Sequence, residues 1–197
     1  MNTMTLRWAL LPGAAALLAL ALSAGCGTDN GDEDTTPPAA AGGEAEFTEA
    51  DVAFAQNMIV HHQQALEMAE LAETRAENPE LAQLASEVAT AQEPEITTMT
   101  DWLTAWGEPV EPPAGHEGMA MPGMASEDEM AALAAADGVD FDRMFTRMLI
   151  AHHDGAVQMA RDVQAEGVND DVNALAATIE QDQSAEVETL EGILDRL

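Results

Sequence analysis

The fold is decided by a stretch that occurs twice, MIVHHQQALEMA at residues 58–69 and LIAHHDGAVQMA at residues 149–160. The same offset of 91 residues holds without a gap from Asp51, opposite Asp142, to Leu103, opposite Leu194. A chance resemblance would not keep one register over such a length. The sequence therefore predicts a tandem duplication in which each copy is one supersecondary unit.

Each copy has the pattern of a helix hairpin. Apolar residues recur at helical spacing over positions 54–72 and again over 81–106, and copy two repeats both runs. Pro79 lies between the runs and suits the first turn of a helix, whereas Pro94 is expected to kink or locally open the second helix. Two hairpins with one apolar face each bury those faces against each other. We therefore expect an all-α fold, a four-helix bundle built from two tandem helix hairpins.

The remaining segments complete the domain organisation. Ser126 and Glu129 form a capping-box pattern that predicts a short extra helix between the copies. The expected body covers residues 47–197, with copy one at 48–106, a methionine-rich linker at 107–125, the short helix at 126–137 and copy two at 139–197.

The N-terminus has the features of an export signal. The apolar run from Trp8 to Leu22 is too short and too interrupted for a membrane span. It ends at Ser23-Ala24-Gly25-Cys26, which resembles a bacterial lipobox. We expect residues 1–25 to be a lipoprotein signal peptide, Cys26 to carry the lipid, and residues 26–46 to be a flexible acidic tether. The alternative is an ordinary signal peptide with an incidental cysteine. Either way, the protein is expected outside the cytoplasm, and the lipid would attach it to the cell membrane.

The composition excludes several function classes. The chain has 37 acidic and 6 basic residues, and its formal net charge is -31. Such a chain repels phosphate, so nucleic acid is excluded as a partner. A single cysteine rules out a disulfide framework and a zinc–thiolate cluster. No nucleophile motif or phosphate-binding glycine loop is present, so hydrolase and kinase chemistry have no support and no catalytic residue is assigned.

Both copies direct polar residues to the middle of the predicted bundle, where leucine would be the usual filler. If the first hairpin turns near residue 78, His61 lies level with Glu95, and by symmetry His152 lies level with Glu186. Two hypotheses stay open: hydrogen-bonded pairs that set helix register, or groups that bind a metal ion. The other residues of this region are Gln92 and Gln183 one turn away, His62 and His153 flanking the seam, and Met68 and Met159 two turns along the histidine stripes.

The linker contains a second cluster, GHEGMAMPGM at residues 115–124. Its residues with metal-binding side chains are His116, Met119, Met121 and Met124. Glycine and proline argue against a helix here, so these methionines are not part of a core stripe. Thioether sulfur is a soft ligand that selects Cu(I) or Ag(I). The alternative is a flexible loop with incidental methionines.

The duplicated histidine stretch resembles the paired signature of the DUF305 family, over nearly all of residues 47–197. The resemblance implies an extracytoplasmic, ferritin-like four-helix bundle. It also implies copper binding, because some members are linked to copper tolerance through histidine and methionine. Carried to this sequence, it implicates His61, His62, Met68, His152, His153 and Met159, with the methionine-rich linker as an addition.

Three functions follow as hypotheses. The leading one is a lipid-anchored metal-binding protein, a Cu(I) or Ag(I) buffer or chaperone with a copper-exporting or copper-accepting protein as its partner. The second is a non-catalytic helical module whose His–Glu pairs are structural. The third is a ferritin-like oxidase with two metal ions, which typically needs Glu-x-x-His on two helices. No glutamate stands three residues before any histidine in this sequence.

Overall fold

The computed structural model describes residues 46–112 and 121–197, which contain five α-helices and no strand. The helices are α1 (Glu49–Arg75), α2 (Pro79–Trp106), α3 (Glu127–Ala135), α4 (Gly138–Glu166) and α5 (Asp170–Leu194). The prediction of an all-α fold is confirmed. No helix within the described ranges is long and apolar enough to cross a membrane. The predicted signal peptide, Cys26, nearly all of the tether, His116 and Met119 lie outside the described residues.

The hairpin turns are fixed by local capping. The Asn78 side chain accepts a hydrogen bond from the Glu80 backbone N–H at 2.9 Å, and Pro79 occupies the first position of α2, where no N–H partner is needed. In copy two, Asn169 accepts from the backbone of Val172 at 3.1 Å and starts α5 in the same way. Both hairpins therefore turn at an equivalent asparagine.

Helix α2 runs through Pro94 without a break, so the predicted local opening does not occur. Proline removes the hydrogen bond that its N–H would make to the Thr90 carbonyl, four residues earlier. Pro94 and Thr90 are both exposed, so water can satisfy that carbonyl.

The two hairpins, α1–α2 and α4–α5, meet mainly through α1 and α4, while α2 and α5 make few contacts. Their core is divided into two hydrophobic clusters, one containing Phe141 and Leu81 and the other containing Phe54 and Leu103. Each of the four long helices contributes to both clusters. Between its two contributions, each helix places polar residues, so a polar layer crosses the middle of the bundle: His61, His62, Gln92, His152, His153 and Gln183.

Each copy also completes the turn of the other. The carboxylate of Asp142 on α4 accepts hydrogen bonds from the backbone N–H groups of Glu77 and Asn78 at 3.0 and 2.9 Å. The carboxylate of Asp51 on α1 accepts equivalent bonds from Val168 and Asn169 at 3.2 and 3.3 Å. Both aspartates are fully buried by the fold. We call this pair of contacts the reciprocal aspartate clamp.

Asp51 also caps its own helix. Its carboxylate accepts from the Thr48 backbone at 2.8 Å and from the Thr48 hydroxyl at 2.7 Å, so Thr48 is the N-cap of α1. Burial raises the pKa of the Asp51 carboxyl, but hydrogen bonds from Thr48, Val168 and Asn169 outweigh that effect and lower the pKa below its ordinary value. The buried carboxylate is therefore charged and fully partnered.

Candidate metal centre

His61 and His152 face each other at the centre of the α1–α4 contact. Their ring centroids are 3.7 Å apart with an interplanar angle of 37°. His61 Nε2 lies 3.1 Å from the carbonyl oxygen of Pro122, and His152 Nε2 lies 3.1 Å from the carbonyl oxygen of His61. A carbonyl only accepts, so each Nε2 must carry the proton and donate it. The Nδ1 atom of each ring consequently keeps a free lone pair.

The glutamates pair with the other two histidines. His62 Nε2 lies 2.7 Å from Glu95 Oε2, and His153 Nε2 lies 2.8 Å from Glu186 Oε2, although the second contact is out of hydrogen-bond alignment. The prediction that His61 and His152 pair with the glutamates is therefore wrong. Adjacent residues on a helix point about 100° apart. On α1, the His61 side chain therefore points toward α4 and the His62 side chain points toward α2.

His62 and His153, which the sequence predicts to flank the seam, are both fully buried. The Nδ1 atoms of all four histidines are buried and have no hydrogen-bond partner in the described part of the chain. A histidine that donates through one nitrogen to a carboxylate or carbonyl offers the other nitrogen as a metal ligand. His61, His62 and His152 therefore each hold an imidazole nitrogen with this capacity, and both ring nitrogens of His153 are without a hydrogen-bond partner in the described residues.

Burial keeps the central pair neutral. The pKa of His61 is lowered to about 3, mainly by desolvation and also by the neighbouring His62 and His153, while a hydrogen bond to the Pro122 carbonyl partly opposes the shift. Desolvation likewise lowers the pKa of His152 to about 2, helped by the other three histidines. Both rings are uncharged at neutral pH, and this is the form that binds metal ions.

The end of the methionine-rich linker lies directly against this pair. Residues Met121 to Met124 form a β-turn in which the Met124 N–H donates to the Met121 carbonyl at 3.2 Å. Pro122 and Gly123 occupy its central positions, and Gly123 has φ 78°, which matches a type II turn. The first and fourth Cα atoms of a β-turn are within about 7 Å. Met121 and Met124, both half-buried, therefore lie close together beside His61 and His152.

Two positions on the helices hold the turn in place. The Gln64 amide donates to the Ala125 carbonyl at 2.9 Å and accepts from the Ala125 N–H at 2.7 Å. Opposite it, Gly155 lets the linker approach α4, since a Cβ there would lie 2.0 Å from the Pro122 carbonyl oxygen. Gly123 is packed as closely, and its Cβ would lie 2.3 Å from the Ala151 carbonyl oxygen. We call this arrangement the linker seat.

Sequence reasoning missed the linker seat, although a signal was available. Gln64 and Gly155 are equivalent positions of the two copies, inside the stretch that is otherwise most alike. A glycine inside a helix costs about 1 kcal/mol relative to alanine, so it usually has a reason in packing. A mismatch of this kind indicates that the two copies make different contacts at the equivalent position.

The structure separates Met68 and Met159 from the histidines. Met68 is fully buried in the hydrophobic cluster that contains Phe141, whereas Met159 packs against the cluster that contains Phe54. Because α1 and α4 are antiparallel, the two methionines lie on opposite sides of the histidine layer, each roughly 10 Å along its helix. They do not converge with His61 and His152.

Gln92 and Gln183 are brought to the same side of the layer, between α2 and α5, together with Glu95 and Glu186. Within the described ranges, no three His, Cys, Asp or Glu side chains converge on a single point in the manner of a closed metal site.

A family model for a domain of unknown function, DUF305, matches residues 51–194. The chain belongs to the DUF305 family. No curated protein is similar enough to match it.

Solved DUF305 structures share this fold. A DUF305 fragment from Deinococcus radiodurans is 35% identical, with a TM-score of 0.70 and coverage of 76% of this chain and 98% of that chain. A DUF305 protein of Streptomyces coelicolor, described there as secreted, is 33% identical, with a TM-score of 0.69 and coverage of 75% and 93%. CopM in its Cu(I)-bound form is 35% identical, with a TM-score of 0.63 and coverage of 74% and 96%. CopM has also been solved with Cu(II) and with silver.

Proposed function

We propose that this DUF305 protein is an extracytoplasmic, lipid-anchored buffer or chaperone for Cu(I) that also accepts Ag(I). Copper is its cargo, received from or passed to a copper-exporting or copper-accepting protein. One observation carries the proposal: the Met121–Met124 turn is seated against a buried, neutral pair of histidines. This contact brings two methionine residues of the linker to the same region of the molecule as two neutral imidazoles.

The donor set fits a soft ion. The open Nδ1 atoms of His61 and His152 need no deprotonation at neutral pH, because burial has already lowered both pKa values to about 3 and about 2. Met121 and Met124 add sulfur, which selects Cu(I) and Ag(I) over harder ions. His62, His153, and the linker residues His116 and Met119 are proposed as further ligands. Met68 and Met159 remain candidates only for a step in which metal moves along the stripes.

The arrangement fits zinc less well. A structural zinc site closes a tetrahedron with four protein ligands, mostly cysteine and histidine. The described residues offer no convergent group of three such side chains. A soft ion that shares imidazole nitrogen with thioether sulfur needs no such group.

Relatives support the same conclusion. CopM, similar over 96% of its own length, was solved with Cu(I), Cu(II) and silver. The similar Streptomyces coelicolor protein is described as secreted, which supports a location outside the cytoplasm. The lipobox-like Cys26 supports attachment by lipid.

An anaerobic Cu(I) competition titration of the purified chain tests the proposal. Met121→Leu with Met124→Leu keeps the size of both side chains and removes both sulfurs. We expect the Cu(I) affinity to fall at least about tenfold, a loss of ~1.4 kcal/mol or more. The matched control is Met144→Leu with Met148→Leu, two half-buried methionines that pack on the hydrophobic core, and its affinity should not change.

A second variant separates the two halves of the site. His61→Gln with His152→Gln removes both imidazoles and should weaken Cu(I) binding to a similar degree. Weakening by the methionine variant alone would move the copper to the linker. Unchanged affinity in both variants would refute the proposal.

The structural-module hypothesis is favoured by one observation, the 2.7 Å contact between the buried His62 and the partly exposed Glu95. Under that hypothesis, copper leaves the thermal unfolding of the protein unchanged. The oxidase hypothesis requires carboxylates shared between two metal ions. The described residues lend it no support, because Glu95 and Glu186 are each directed at a histidine.

A further inference from the structure

A small chamber lies between α2 and α5, on the side of the histidine layer away from the linker seat. Its volume is about 20 Å³, enough for one water molecule or one ion without its hydration shell. The polar residues that line it are Gln92, Glu95, Asp182, Gln183 and Glu186. We call it the α2–α5 chamber.

Two glutamine side chains in its wall lack partners. Gln92 is 3% exposed and Gln183 is 4% exposed. Neither the Oε1 nor the Nε2 atom of Gln92 has a hydrogen-bond partner within the described residues, and Gln183 Oε1 has none either. Buried amides without partners are rare in native proteins, because desolvation is then not compensated. The two glutamine oxygens in particular require a donor or a cation inside the chamber.

The polar residues that line the chamber include two pairs related by the internal duplication. Gln92 and Gln183 are equivalent positions of the two copies, and so are Glu95 and Glu186. The residues between them have diverged, with Glu93-Pro94 opposite Ser184-Ala185. Four oxygen-bearing side chains therefore surround the chamber as two related pairs.

The charge of the chamber favours a cation. Three carboxylates line it, from Glu95, Asp182 and Glu186, and no arginine does. Each glutamate uses its Oε2 atom to contact a histidine, which leaves Oε1 for another partner. Like charges that share a partly enclosed space repel each other, and a cation between them removes that repulsion.

We propose that the α2–α5 chamber is a second cation site, one that takes a hard divalent ion such as Mn²⁺ or Ca²⁺. Its ligands are the amide oxygens of Gln92 and Gln183 and the carboxylates of Glu95 and Glu186. Asp182 is exposed at the rim of the chamber and adds negative charge without serving as a ligand. Oxygen donors of this kind suit hard ions and disfavour Cu(I). The site goes beyond the proposed copper function and does not depend on it.

Binding of Mn²⁺ to the metal-stripped full chain, followed by the electron paramagnetic resonance signal of free Mn²⁺, tests the proposal. We expect one saturable Mn²⁺ per chain above the weak binding of the acidic surface. Gln92→Leu with Gln183→Leu should weaken this binding at least tenfold. The matched control is Gln158→Leu with Gln181→Leu, two exposed glutamines whose substitution also leaves the charge unchanged, and it should bind like wild type.

Three outcomes would overturn the proposal. They are the absence of a saturable Mn²⁺, equal binding by the two variants, and displacement of Mn²⁺ by one equivalent of Cu(I), which would assign the ion to the histidines. Circular dichroism checks that the leucine variant folds. If it does not fold, Gln92→Asn with Gln183→Asn withdraws the amide oxygens by one methylene each and should produce the same tenfold loss.

Discussion

Mild acid should destabilise the metal-free protein through two histidines. His61 and His152 have folded-state pKa values of about 3 and about 2, against 6.5 for an exposed histidine, because burial disfavours the charged ring. In the unfolded chain both rings take up protons as the pH falls below 6.5, whereas in the folded chain they stay neutral. The unfolded state then binds more protons, so the free energy of unfolding falls as the pH falls.

The size of the effect follows from the two pKa values. Each group contributes about 1.4 kcal/mol per pH unit between its unfolded and folded pKa, so the pair contributes about 2.7 kcal/mol per unit. Between pH 7.5 and pH 5 the loss is about 4 kcal/mol, a large part of the ~5–15 kcal/mol that stabilises a typical domain. Above pH 7.5 these two groups add almost no pH dependence.

Urea unfolding followed by circular dichroism, at several pH values from 7.5 to 5, measures this loss. The variant His61→Gln with His152→Gln cannot take up these protons in the unfolded state. Its free energy of unfolding should therefore fall by about 4 kcal/mol less than that of wild type between pH 7.5 and pH 5. All other titrating groups are common to both proteins and cancel in the comparison. Parallel pH dependence of the two proteins would refute the reasoning.

Three further substitutions test other parts of the structure. Gly155→Ala places a methyl group against the Pro122 carbonyl and should weaken Cu(I) binding about tenfold in the competition titration, with helicity by circular dichroism unchanged; wild-type affinity would mean that the linker seat does not matter for copper. Asp142→Ala removes two charge-assisted hydrogen bonds and should lower the free energy of urea unfolding by about 3 kcal/mol, whereas exposed Asp154→Ala should change it by less than about 0.5 kcal/mol. Pro94→Ala restores a helical N–H on an exposed face and should raise the free energy of unfolding by about 1–3 kcal/mol, with a higher thermal midpoint. An unchanged or lower midpoint would show that the missing hydrogen bond does not destabilise α2.

The order of the helices and the polar layer could be predicted from the sequence. They depend on the helical spacing of apolar residues and on the 91-residue offset between the two copies. The repeat predicts that His61, His152, Glu95 and Glu186 reach the middle of the bundle, and they do. Which of two adjacent histidines meets the glutamate depends on how far α1 is rotated about its axis. Packing of side chains far apart in the sequence sets that rotation, and the structure assigns Glu95 to His62.

The position of the linker could not be predicted from periodicity. Met121 and Met124 stood out by composition, but the sequence left open whether they and the histidines form one site or two. Met121 and Met124 lie near His61 because the loop that carries them packs on the helices. The Gln64 amide hydrogen-bonds this loop, and Gly155 allows it to approach α4 because it has no side chain. Neither contact leaves a repeating pattern.

The linker seat has a consequence for how the two copies could have arisen. If a single hairpin once formed a homodimer, its two subunits carried the same residue at the positions now occupied by Gln64 and Gly155. Such a dimer would present either two glutamines or two glycines to a segment that crosses its helices. It could not present one glutamine and one glycine. In that case, joining the two hairpins would have added the connecting segment, and the difference between Gln64 and Gly155 would have fixed its path across the helices. Met121 and Met124 would then belong only to the joined chain, whereas the histidines, which occur in both copies, would already be present in the single hairpin.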